Sequence, residues 1–309
     1  MNLTGIHHIT VLASDAQRNA DFYTDVLGLR MVKRTVNFDA PDVYHLYYAD
    51  AKGTPGTLMT FFPFPHAARG QRGNGEVSAV AWHVPLESLD YWLTRLSSEG
   101  ISIEGPSMRF GHKAVTFLDP DGMMIDFIFS DQPPHVTTWD RGPIPAEHQL
   151  RSFHGVSMAL EDAAPSLALL SNVMGFRPVG TESTRQRYAV GVSPHTVFVD
   201  VIVRPGLGWA QQSAGSVHHI AWRVPDDSAQ IEWRDRLRAT DVNVTDVVDR
   251  QYFHSIYFRE PGGILYEIAT DPPGMNIDED WGSLGQKLQL PPRYEPDRTK
   301  IQATLPTLR

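Results

Sequence analysis

The chain alternates short β-branched and apolar runs with stretches in which apolar residues return every three or four positions. The run Ile6-His7-His8-Ile9-Thr10 gives way to Ala20, Tyr23, Val26 and Leu27 on one side of a predicted helix, with Asp15 as its N-cap and Gly28 as its end. Leu86, Leu89, Leu93 and Leu96 repeat the helical spacing before Gly100, and Ile231, Trp233 and Leu237 do so after Asp227-Ser228. Each helix precedes two or three strand-like runs broken by turn residues. Asp119-Pro120-Asp121-Gly122 and Glu260-Pro261-Gly262-Gly263 read as turns in which Pro fixes φ and Gly supplies a positive φ.

The same order of elements occurs four times. Ala81-Trp82-His83-Val84-Pro85 returns as Ala221-Trp222-Arg223-Val224-Pro225, and Ile6-His7-His8-Ile9-Thr10 as Phe153-His154-Gly155-Val156-Ser157. The chain therefore divides into four βαβββ units over about residues 3–65, 76–130, 150–205 and 215–270, an α+β architecture. The predicted domains are an N-terminal pair of units over 1–130, a linker over 131–149 carrying Pro133, Pro134, Pro143 and Pro145, a C-terminal pair over 150–270 and a tail over 271–309. Trp281, Leu284, Leu288 and Leu290 predict that the tail packs over the fold, while Asp278-Glu279-Asp280 reads as a solvated turn. The Gly-rich loop 66–75 has no GxGxxG between a strand and a helix and so carries no phosphate-site reading.

Composition narrows the chemistry. A length of 309 residues suits two domains of about 150 residues each. No apolar run approaches the ~20 residues of a membrane span, and no basic, then apolar, leader opens the chain, which predicts a cytoplasmic protein with no membrane partner. The absence of cysteine excludes disulfides, thiolate metal sites and Cys nucleophiles, so a metal would need N and O ligands. A net charge of −9 without a basic stripe argues against nucleic acid and for a small-molecule partner; a homo-oligomer is left open.

Paired histidines in two strand-like runs, His7-His8 and His218-His219, and a carboxylate in a third, Glu267 within Ile264-Leu265-Tyr266-Glu267-Ile268, supply donors for a divalent cation. An unpaired charge in such an apolar run would cost several kcal/mol. These modules, with the Glu-Pro-Gly-Gly turn before the last strand, resemble the vicinal-oxygen-chelate superfamily, which includes glyoxalase I, extradiol dioxygenases and antibiotic-resistance proteins. The resemblance covers about residues 3–270. It is greatest to the hydroquinone-type ring-cleaving dioxygenases through Gly5-Ile6-His7-His8-Ile9-Thr10, Val217-His218-His219-Ile220 and Tyr266-Glu267, and more weakly through Leu290-Pro291-Pro292-Arg293.

The resemblance implies two cupped mixed sheets and the ligands His8, His219 and Glu267. Strand alternation agrees: each of the three shares its face with small or polar neighbours, and sends His7 and His218 to the opposite face. Two His and one carboxylate leave open positions, as in non-haem Fe(II) oxygenases, with Mn(II) as the other metal considered. The equivalent positions elsewhere are Gly155, Ala79 and Asp126, which predicts one metal per chain and a first unit packed with the fourth; Asp126 reads as structural. The resemblance further implies catalytic roles for Arg250, Tyr257, His218, His7 and Thr10: Arg250 for a phenolate or carboxylate, Tyr257 for an oxyanion, and His7 or His218 for acid–base work or simple strand hydrogen bonding. His254 is added by location. Trp82 and Trp222 read as core, and His83, His112, His135, His148 and His195 as surface or loop residues. The expected activity is opening of a hydroquinone- or catechol-type ring with O2. A metal-dependent lyase or isomerase of the glyoxalase kind and a small-molecule binding protein are the alternatives.

Overall fold

Sixteen strands collect into two eight-stranded mixed sheets in a computed structural model that describes residues 2–131, 136–193, 195–240 and 242–309. Pro133, Pro134 and His135 lie outside the described residues. The first unit supplies β1 (Ile6–Ala13), β2 (Arg30–Asn37), β3 (Ala40–Ala49) and β4 (Leu58–Pro63). The second supplies β5 (Glu76–Pro85), β6 (Ile103–Arg109), β7 (His112–Leu118) and β8 (Met124–Ser130), and the third β9 (Phe153–Leu160), β10 (Arg177–Glu182), β11 (Arg185–Val190) and β12 (Val197–Val203). The fourth gives β13 (Val217–Val224), β14 (Val248–Asp249), β15 (Phe253–Arg259) and β16 (Leu265–Pro273). One sheet runs β14-β15-β16-β13-β1-β4-β3-β2 and the other β10-β11-β12-β9-β5-β8-β7-β6. The chain thus starts the first sheet, builds the whole second sheet and returns to complete the first.

The two crossings between sheets lie side by side. Gln71 and Gln211 exchange both backbone hydrogen bonds at 2.9 Å, and Gly70 N donates to Ala214 O. A Cβ at Gly73 would stand 2.4 Å from Ala210 N, so the glycines of loop 66–75 serve close backbone approach.

Helix α1 (Ala16–Asp21) is capped by Asp15, whose carboxylate accepts from Arg18 N at 2.8 Å. It continues as a π-helical turn over Phe22–Val26 and ends at Gly28, φ +73°. The third unit repeats the device: α3 (Ala164–Ala168) runs into a π-helical turn over Leu169–Val173. Helix α2 (Leu89–Ser98) buries Trp92 and Leu96, and α4 (Asp227–Arg238) buries Gln230, Trp233 and Leu237, while Leu86 and Ile231 face outward. Trp82 and Trp222 are fully buried in the core that joins both sheets to the helices.

Both predicted turns are tied by a buried carboxylate: Asp119 Oδ1 accepts from Asp121 N and Met123 N, and Glu260 from Gly262 N and Ile264 N. Two expectations change. Asp278 and Glu279 are not a solvated turn, because the ammonium of Lys33, wholly buried on β2, pairs with both and fastens the tail to the first sheet. His83 is not at the surface: it is buried on β5 and its Nδ1 lies 2.8 Å from Ser130 Oγ.

Candidate metal centre

Three neighbouring strands, β16, β13 and β1, bring Glu267, His219 and His8 together. Ala221 of β13 stands opposite His8 on one side and Glu267 on the other. Its methyl group leaves room between them, and His219, two residues back on the same face, completes a triangle. The Nε2 atoms of His8 and His219 are 3.2 Å apart, and Glu267 Oε2 lies 3.5 and 3.0 Å from them. All three residues are buried, and they are the one group among the described residues with metal-ligand spacing.

The donor set fits a cation. Glu267 is fully buried; its Oε1 accepts a short hydrogen bond from Ser255 Oγ, whereas its Oε2 takes none. Burial alone raises this acid, but the His8 and His219 imidazoles outweigh it and hold it well below its ordinary value. His8 Nδ1 lies 2.9 Å from His7 Nδ1, and His219 Nδ1 lies 2.8 Å from His218 Nδ1. With the protons of His8 and His219 on Nδ1, each donates to its neighbour, and two imidazole lone pairs and a carboxylate oxygen converge on one point. A divalent cation satisfies all three at once.

His7 and His218 do not point away from their neighbours as simple alternation requires. Between Ile6 and His8, β1 has one residue more than β13, and between His219 and Val217 β13 has one more than β1. His7 and His218 are thus the extra residues of two β-bulges, which re-aim side chains beside a site. The second sheet keeps the same bulges at Ser78 and His154. Burial, then His8, lowers His7 well below the usual imidazole range, and burial, then His219, brings His218 to about 3, so both stay neutral acceptors.

The triad opens into a cavity of about 610 Å³. Phe38, Phe62, Phe64, Phe253 and Leu265 give it apolar walls, and His218, Arg250 and Tyr257 line it. Arg250 Nε donates to Tyr257 Oη at 3.0 Å and Nη1 to Asp39 Oδ2 at 3.1 Å, which aims the guanidinium across the mouth. Burial raises the Tyr257 phenol above its ordinary value, so it stays protonated. His7 and Thr10 are not among the lining residues. His7 packs behind against Phe253, ring centroids 5.0 Å apart, and Thr10 reaches Thr60, 2.7 Å between hydroxyls. His254 is elsewhere, paired with Asp227 of α4 at 2.6 Å. Sequence reading missed His45 and Tyr47, which line the cavity from β3, and Ser255. The available signal is the spacing of His45 and Tyr47, two residues apart and so on one strand face, within the ring-rich run Tyr44-His45-Leu46-Tyr47-Tyr48.

The second sheet's equivalent place is filled. Asp126 pairs with Arg109 and Thr116, and Arg187 grips Asp200 at 2.7 and 2.8 Å. A Cβ at Gly155, the position of His8, would lie 2.0 Å from Phe198 O. The hollow that remains is about 10 Å³, room for one water at most.

The sequence profile of the Glyoxalase/Bleomycin resistance protein/Dioxygenase superfamily matches residues 5–127 and 152–268. The chain belongs to this superfamily. Among its superfamily relatives is a Bacillus subtilis (strain 168) protein provisionally named ring-cleaving dioxygenase MhqO, 42% identical over 97% of this chain and 95% of the relative. Chlorohydroquinone/hydroquinone 1,2-dioxygenase of Sphingobium indicum is 35% identical over 97% of this chain and 95% of its own length. A crystal structure of a provisionally named dioxygenase of Bacillus subtilis superposes with a TM-score of 0.95 at 40% identity, covering 100% of this chain and 98% of that one. Glyoxalase I of Zea mays, 13% identical with a TM-score of 0.63 over 86% of this chain and 92% of its own, shares the superfamily's fold.

Proposed function

We propose that the protein is a ring-cleaving dioxygenase that opens an aromatic diol of the hydroquinone type, with His8, His219 and Glu267 as ligands of Fe(II), for which Mn(II) can substitute. The observation that carries this reading is the convergence of two imidazole Nε2 atoms and an otherwise unpartnered carboxylate oxygen at the floor of an aromatic-walled cavity. Relatives named for ring cleavage, aligned over nearly the whole chain, support it.

When bound, the metal supplies Lewis acidity toward a substrate oxygen and redox chemistry with O2. The chain's own residues do the rest. Phe38, Phe62 and Phe253 hold an aromatic ring and exclude water. Arg250 presents positive charge to a phenolate oxygen, and the Tyr257 O–H, kept protonated by burial, donates to oxygen on which charge develops. His7 and His218 fix the orientation of the two ligating rings through their Nδ1 atoms.

The test is metal content and oxygen uptake together. Wild type and Glu267→Ala are purified without oxygen and compared by elemental analysis and on an oxygen electrode with hydroquinones and catechols. Glu267→Ala should lose both iron and uptake; unchanged iron stoichiometry removes Glu267 from the ligand set. Wild-type turnover that needs no oxygen and runs with Ni(II) or Zn(II) would support a glyoxalase-like lyase instead, and absence of any metal a binding protein.

A further inference from the structure

The triad lies between two polar walls. β15, with Tyr257, borders β16 on one flank, while β3, with His45 and Tyr47, lies beyond β1 and β4 on the other. His45 and Tyr47 are two residues apart on one face, and their rings pack with centroids 4.1 Å apart. Tyr47 Oη is 2.9 Å from His45 Nδ1; His45 Nε2 is 2.9 Å from Thr60 Oγ1, and that hydroxyl is 2.7 Å from Thr10 Oγ1. All four residues are buried; His45 and Tyr47 line the cavity beside Phe62, whose ring centroid is 4.3 Å from that of His45, while Thr60 and Thr10 stand behind them.

Such a chain can run in either direction, because a neutral imidazole donates from one nitrogen and accepts at the other. With the His45 proton on Nδ1, Tyr47 Oη accepts it and the phenol O–H is free to donate into the cavity. With the proton on Nε2, Tyr47 donates to Nδ1 and leaves its oxygen free to accept, while Thr60 and Thr10 turn over to match. Burial keeps His45 neutral and Tyr47 protonated, so both settings are available at neutral pH. The pair can thus meet a ligand hydroxyl in either role.

The two oxygens of a 1,2-diol leave the ring on the same side, and both would face the triad, turning ring C–H toward β3. The oxygens of a 1,4-diol leave from opposite ends. A buried polar pair facing C–H loses its hydrogen-bonding use, whereas one facing a hydroxyl gains a partner. We propose that Tyr47, set by His45, is a specificity-determining residue that hydrogen-bonds the far hydroxyl of a 1,4-diol whose near oxygen lies at the triad. The identity of the ring rests on the ring-cleaving reading above; the polar subsite does not.

The experiment is anaerobic calorimetry of the Fe(II)-loaded protein with hydroquinone and with 4-methylphenol, which keeps the shape but lacks the far oxygen. Wild type should bind hydroquinone ~10-fold or more tightly than 4-methylphenol, and Tyr47→Phe should reduce that ratio to about twofold or less. Equal wild-type affinities overturn the proposal without recourse to any variant, and a Tyr47→Phe protein that keeps the wild-type ratio overturns it as well. Oxygen uptake with hydroquinone is read in parallel. A tenfold preference without uptake supports the subsite and sinks ring cleavage; uptake with equal affinities sinks the subsite alone.

Discussion

Replacing Ser255 by Ala probes how firmly the Glu267 carboxylate, the proposed metal ligand, is held. Ser255 and Glu267 are both fully buried, and the hydroxyl gives Oε1 its hydrogen bond while Oε2 faces the imidazoles. A hydrogen bond to a buried charge contributes about 1.5–3 kcal/mol, so the variant should lose roughly that much folding stability. Without the donor the carboxylate can rotate, and a proton competes better for it. Loss of a partner that orients a metal ligand typically costs ~10–100-fold in metal affinity. At saturating metal this appears as ~1.4–2.7 kcal/mol less metal-induced stabilisation. The assay is denaturant unfolding with and without Fe(II), paired with competition against a chelator series, in Ser255→Ala and in Ser255→Thr, which retains the hydroxyl. A stability loss with metal affinity unchanged would refute the orienting role and leave Ser255 as a structural fastener.

Asp119 should make stability pH-dependent. Burial, foremost, raises its carboxyl from the ordinary 3.8 to about 6. The folded state therefore binds the proton more tightly, and this contribution is present below about pH 4 and lost as pH rises through 6. At about 1.4 kcal/mol per tenfold change in proton affinity, the loss is ~3 kcal/mol. Asp119→Asn, which keeps an acceptor for Asp121 N and Met123 N, should be more stable than wild type at pH 7.5 but not at pH 4.5; a difference that ignores pH counts against this. Lys33→Met leaves Asp278 and Glu279 without their buried cation and should cost ~3–5 kcal/mol, with faster proteolysis within 271–309 as the second readout. Tail cleavage at the wild-type rate would show that other contacts hold it.

The repeat makes the four units, the two turns and the loss of both imidazoles from the second cup legible in the sequence, because each rests on residue types at fixed spacing: Asp-Pro-Asp-Gly against Glu-Pro-Gly-Gly, Gly155 against His8. The bulges at His7 and His218 were not, because an extra residue exists only relative to the partner strand, and pairing is invisible in one strand's sequence. The π-helical turns over 22–26 and 169–173 break the 3.6-residue rhythm by which a helix is read. Lys33 and Asp278 are 245 residues apart, so an acidic run that looked solvated had its counter-ion hidden by distance along the chain. His45 has no second candidate ligand beside it in the sequence, and its partner Thr60, 15 positions on, meets it only in the folded sheet.

The nesting of one sheet inside the other in chain order also fixes when the centre can exist. His8 and His219 are separated by 211 positions, and Glu267 follows later still. On a ribosome the inner sheet, contiguous from 76 to 203, can close while β1, beside β4, still waits for β13. Only when β16 has emerged does the third donor arrive. The complete set of three donors can therefore form only after β16 has emerged, and a chain stopped anywhere before Glu267 lacks the carboxylate.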